Sequence, residues 1–189
     1  MSDSPTTTLS IADLGSERWH VTGLVAHERL FAPTRFVVTA RTSAPVEPDD
    51  LIGLDATLAV VLDGASRTFS GVVLEASERA DRDEFFAVEL VVASKLALLS
   101  LGRDHRIYQE MTVQDVVSDV MSRAGLSDLC EWSVNTSYEP HDNIGQYGES
   151  DYAFVTRLLH EEGIGYFVEQ REDGERVVFF DDDTVFTAI

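Results

Sequence analysis

The first hundred residues read as strands, with apolar side chains returning at alternate positions within several short runs. Residues 35–41 (RFVVTAR) form a β-branched and aromatic run bounded by Pro33 on one side and by Pro45 and Pro48 on the other. A second run, 57–62, stops at Asp63-Gly64, a pair that tolerates the positive φ angles of a two-residue hairpin. Residues 67–77 predict a third strand, turning through 78–83. In the returning segment 84–94, Phe86, Val88, Leu90 and Val92 alternate with Phe85, Ala87, Glu89 and Val91. A weaker segment, 19–25, supplies an earlier strand. Period-two patterning with turns at short intervals predicts an antiparallel sheet or small barrel.

Near Lys95 the period changes. Val113, Val116, Val117, Val120, Met121 and Ala124 recur at helical spacing. Thr112 and Asp115 form a capping-box variant before them, and Gly125 stands where a helix C′ glycine belongs. Valine is a poor helix former, so packing must hold this helix. A second helix opens at Ser150-Asp151, carries Phe154, Val155, Leu158 and Leu159 on one side, and stops at Gly163. Strand-like runs at 164–169 and 176–180, joined through Glu172-Asp173-Gly174, form a closing hairpin. The order is a β block, a helix, an irregular stretch, a second helix and a hairpin. That is an α+β chain, β-rich, with two inserted helices and without βαβ crossovers.

Charge narrows the functional classes. The chain of 189 residues holds 34 acidic and 14 basic side chains, a net charge of −20, with the excess in both halves. Nucleic-acid backbones and anionic membrane surfaces are therefore disfavoured partners. No stretch is long and apolar enough to span a bilayer, and the N-terminus lacks the basic and apolar regions of a Sec signal. The expectation is no membrane anchor and cytoplasmic residence at least at assembly. Cys130 is the only cysteine, which excludes an internal disulfide and a cysteine-based zinc site; it reads as a small apolar filler.

Candidate chemistry is sparse. His160-Glu161-Glu162-Gly163 opens like a zinc-protease helix, but Ile164 stands where the second histidine must lie one turn on. Carboxylates at that helix end oppose the macrodipole, so either a buried or interface role for Glu161 or Glu162, or an inconsequential exposed pair, is open. Asp181-Asp182-Asp183 offers hard oxygen ligands without calcium-loop spacing, and reads first as a solvated strand end. Asp104 and His105 are neighbours on a strand and face opposite ways. His20, His27 and His141 are isolated. There is no phosphate loop, dinucleotide fingerprint or nucleophile elbow. No catalytic, cofactor-binding or metal-ligating residue is assigned.

The segment from Asp104 to Val117, continuing through Ala124, Gly125 and Leu126, and the segment from Gln146 to Phe167 resemble one known family. These are the VgrG spike proteins of type VI secretion and the related hub proteins of contractile phage tails. The family pattern QYxESDxxFVxRLxEEEGIxYF is met by Gln146, Tyr147, Glu149, Ser150, Asp151, Phe154, Val155, Arg157, Leu158, Glu161, Glu162, Gly163, Ile164, Tyr166 and Phe167. His160 departs from the first of its three acids, and His105 from a frequent cysteine. Residues 51–53 and 69–73 resemble the family's first β domain.

The resemblance implies barrel-like domains, here a flexible segment at 1–17, a first β domain at 18–100 and a second α+β domain at 101–189. It also implies a non-enzymatic structural role, linking tail tube to spike in a contractile injection machine. The implied partners are two further copies in a trimer, an Hcp-like tube hexamer, and a spike or OB/β-helix needle module, with delivery out of the cell by the machine. The chain stops at Ile189, short of that needle, so it is either a fragment or a short hub with a separate spike. Rival readings are a ligand- or peptide-binding barrel and a cell-wall hydrolase assembled by the fold.

Overall fold

The computed structural model describes residues 6–79 and 86–186. Strands β1 (Thr6–Ile11), β2 (His20–His27), β3 (Arg35–Thr42), β4 (Asp55–Leu62), β5 (Ala65–Arg79) and β6 (Phe86–Ala93) form one six-stranded sheet in the order β1-β4-β5-β6-β3-β2. All its neighbours are antiparallel. The two edge strands, β1 and β2, lie against each other, so the sheet curls on itself towards a barrel.

The period-two pattern explains which face turns inward. In β3, Phe36, Val38, Ala40 and Thr42 are buried, and in β6 Val88, Leu90 and Val92 face the same core. Asp63 (φ 50°) and Gly64 (φ 80°) make the tight turn between Leu62 and Ala65, which pair directly. Gly71 has a different reason to be glycine. A Cβ there would collide with the backbone carbonyl of Ala93, so the strand partner approaches too closely for any side chain. The expected turn at 78–83 falls largely outside the described residues.

A 3-10 stretch, Lys95–Ser100, leads to β7 (Arg103–Tyr108), α1 (Val113–Arg123), β8 (Cys130–Ser133), β9 (Ile144–Ser150), α2 (Asp151–Glu161), β10 (Gly165–Arg171) and β11 (Gly174–Phe180). β7 and β9 form an antiparallel ribbon, and β10, β11 and β8 a three-stranded sheet. Around these elements a second core gathers Val116, Val117, Val120 and Met121 of α1 with Phe154, Val155, Leu158 and Leu159 of α2.

Two findings differ from the sequence reading. Residues 6–11, within the segment read as flexible, form β1: Leu9 and Ile11 are fully buried, and their backbone pairs along the edge of β4. The irregular stretch between the helices contains β8, which runs parallel to β11, and β9, which pairs antiparallel with β7. A four-residue strand carries no period of its own, and only the edge offered by β11 makes it one.

Two compact units are present: Met1–Glu28, Thr34–Ser94 and Gln170–Glu175 in one, and Arg29–Pro33, Lys95–Glu169 and Arg176–Ile189 in the other. The grouping departs from chain order at two places. The Phe31 amide donates to the Tyr166 carbonyl (3.0 Å), holding 29–33 in the second unit. The Gln170 amide bonds the backbone of Ser70 in both directions (2.8 and 3.2 Å), holding 170–175 in the first. Among the described residues, no helix is long and apolar enough to cross a membrane.

Candidate functional site

The second unit contains the 146–167 motif, and most of its polar residues are spent on fixing β9 to α2. Arg157, on α2, is the centre. Its Nη2 donates to Glu149 Oε1 (2.7 Å) and to the Gly145 carbonyl (3.0 Å), and its Nη1 to Glu161 Oε1 one turn along (3.2 Å). The bond to Glu149, ahead of that to Glu161, raises the Arg157 pKa against a desolvation that lowers it. Gln146, fully buried, donates to the Glu149 carbonyl (3.2 Å) and to Asp151 Oδ1 (2.8 Å). Arg106 of β7 reaches the same Asp151 oxygen (3.2 Å) and, through Nε, Asp104 (2.8 Å). Ser150 Oγ caps α2 by accepting from the Ala153 amide (3.1 Å).

The sequence-level candidates fall into place as structural groups. Glu161 is paired with Arg157, and Glu162 lies 2.8 Å from His141 Nε2. Both carboxylates at the unfavourable helix end thus have a cationic or hydrogen-bonding neighbour. Ile164 is a buried apolar side chain and offers no metal-ligating atom there. Asp104 accepts from the His105 backbone (2.7 Å) and pairs with Arg106, so no carboxylate–imidazole couple forms; those bonds hold its pKa down, the backbone one foremost. His20 and His27 are exposed on β2.

Two of the three adjacent aspartates have separate tasks. Asp181 accepts from the amides of Asn135 and Thr136 (both 2.8 Å) and from the Tyr138 hydroxyl (3.1 Å). These donors, the Asn135 amide first, lower its pKa to about 2. Asp182 caps the following turn by accepting from the Thr184 amide (2.7 Å). Among the described residues no group of three histidine, cysteine or acidic side chains is placed to hold a metal ion. Burial pushes the Cys130 thiol up to about 11, which keeps it protonated and unreactive.

One motif residue fixes nothing. Tyr147 is 73% exposed, opposite His105 across the β7–β9 ribbon. Its ring lies over Gly145, where an added Cβ would strike it, and Gly145 pairs with Ile107, itself 66% exposed. The other face of the ribbon is buried through Tyr108, Ile144 and Gln146. Each strand of a two-stranded ribbon also keeps one unpaired edge. The ribbon therefore presents large apolar side chains to solvent, a feature the sequence pattern of β9 did not reveal because Tyr147 alternates in phase with ordinary surface positions.

Comparison with known proteins gives these features a context. Residues 27–189 match the phage tail baseplate hub (GPD) family. The chain is 31% identical over 170 residues to the type VI secretion system spike protein VgrG1b of Pseudomonas aeruginosa, covering 89% of this chain and 23% of that protein. It superposes on the Escherichia coli c3393 protein, a component of the type VI secretion system with structural similarity to the T4 tail proteins gp27 and gp5, with a TM-score of 0.84 and 25% identity. That match covers 95% of this chain and 50% of the other. The fold is shared with a 43 kDa prophage tail protein from Shewanella oneidensis (TM-score 0.64, 18% identity, 93% and 53% covered). The chain thus spans under a quarter of the length of VgrG1b and half that of c3393.

Proposed function

The chain belongs to the phage tail baseplate hub (GPD) family, and on that premise we propose that it acts as a structural subunit of a contractile injection machine, joining the tail tube to the spike. The observation that carries this reading is the division of labour in the 146–167 motif. Its charged residues make an internal lattice rather than a reactive centre, while Tyr147 and its neighbour Ile107 face outward. A rigid scaffold that displays apolar side chains suits a part whose work is to be assembled.

In this reading three copies form the hub, with the ribbon face buried against another subunit, a hexameric tube protein on one side and a needle module on the other. The role is non-enzymatic, and assembly occurs in the cytoplasm before the machine carries the hub outward. Three copies bring together roughly −60 of formal charge, so like-charge repulsion opposes association and added salt should strengthen it.

Light scattering of the chain, alone and mixed with its tube protein, tests the proposal. Association that grows with salt and is lost in Tyr147→Arg and Ile107→Arg variants is the expected result. A chain that stays monomeric and ignores the tube protein at every ionic strength would sink it.

A further inference from the structure

Unit two also holds a cavity of about 570 Å3 that the hub reading does not use. The buried residues Leu159, Ile164 and Tyr166 line it, together with the rings of Phe31 and Phe180. Phe31 stands edge-on to Tyr166 (6.2 Å between ring centres) and stacks on Phe180 (6.3 Å). It is nonetheless 56% exposed, and its backbone sits at φ 60°, a left-handed conformation that a bulky residue rarely adopts. The chain therefore holds an exposed aromatic ring over the cavity at a conformational cost, fixed by the hydrogen bond that the Phe31 N–H donates to the Tyr166 carbonyl.

The polar lining has one sign. Asp182 and Asp183, both exposed, line the cavity. Among the described residues, neither lysine nor arginine lines it, and His160 is the only other titratable side chain there besides Tyr166 and Asp181. Asp181 is committed to the Asn135, Thr136 and Tyr138 donors. Aromatic faces beside carboxylates favour a cation with a flat or alkyl body, and arginine satisfies both at once. An anionic occupant would meet the aspartates, and the field of a −20 chain also attracts cations.

We propose that this cavity receives an arginine side chain presented by a partner polypeptide. The inference rests on the cavity's own residues and stands or falls apart from the hub assignment. The whole chain, labelled with nitrogen-15, would be titrated with N-acetyl-arginine methylamide, with the neutral citrulline analogue and with the leucine analogue.

Saturable shifts confined to the amides around Gly163, Gly165 and Asp183 are expected for the arginine probe, with affinity at least about fivefold above that of the citrulline probe. Phe31→Ala and Asp183→Asn, both at exposed positions, should each weaken binding about threefold or more without altering the rest of the spectrum. Three results would each overturn the proposal. These are shifts scattered over the acidic surface, equal binding of citrulline or leucine, and an arginine titration indifferent to both substitutions.

Discussion

The two helices share one frame and are held in different ways. Both run eleven residues, and both start on a hydroxyl cap, Thr112 or Ser150. Both also end in the same way. Leu126 N–H reaches the Met121 carbonyl and Ile164 N–H the Leu159 carbonyl (2.8 Å each), with Gly125 and Gly163 in the left-handed conformation between. The residues joined by each closing bond are buried together, so each stop is also a piece of core.

The polar faces then diverge. In α1 the charges are chiefly local: Thr112 and Asp115 bond reciprocally, and Asp119 pairs with Arg123 in the last turn, a cation well placed for the helix dipole. In α2 the last turn carries acids, and its cation, Arg157, spans sideways to Glu149 and the Gly145 carbonyl of β9. α1 is completed mainly by its own sequence and by apolar packing, whereas α2 is completed by a strand. The 146–167 motif holds both α2 and most of the strand that completes it.

The largest test of this contrast replaces each arginine with methionine. Arg157→Met strands the half-buried Glu149 and removes a donor from Gly145, which should cost about 1–3 kcal/mol in urea unfolding. Arg123→Met removes an exposed pair and should leave the unfolding midpoint nearly unchanged. Equal losses would erase the distinction between the two helices.

Next in size are the caps. Thr112→Ala breaks a reciprocal box and should cost about 1 kcal/mol or slightly more. Ser150→Ala loses one accepted bond and should cost less, because the Arg157 lattice still anchors the start of α2. Thermal melts of both variants, side by side, would expose a reversed order.

The smallest effect is in acid. Asp119 has a lowered pKa through its bond to Arg123 first, and Asp181 is lowered to about 2 by the backbone donors after β8. A depressed carboxylate stabilises the fold above its unfolded pKa, near 4, and that contribution fades as pH falls through the folded value. The stability gap between the natural chain and Asp119→Asn or Asp181→Asn should therefore be flat above about pH 5 and shrink below about pH 4. For Asp181 some of it should persist until about pH 2. A gap for either variant that stays constant down to pH 2 would contradict the assigned bonds.

Local chemistry by itself determined β2 to β6 of the first sheet, the Asp63-Gly64 turn, both helix starts and both helix stops. Each depends on residues within a few positions of one another, where period, cap and turn geometry act directly. The long ordered motif also determined the family, since such a match needs no three-dimensional knowledge. Tertiary structure alone decided β1, β8 and β9, because a strand without a strong period exists only where another edge accepts its backbone. It also decided the partners of Arg157, the separate tasks of Asp181 and Asp182, and the exposure of Phe31 and Tyr147. Those properties join residues distant in sequence, and no local pattern states whether a side chain meets a strand, a cavity or water.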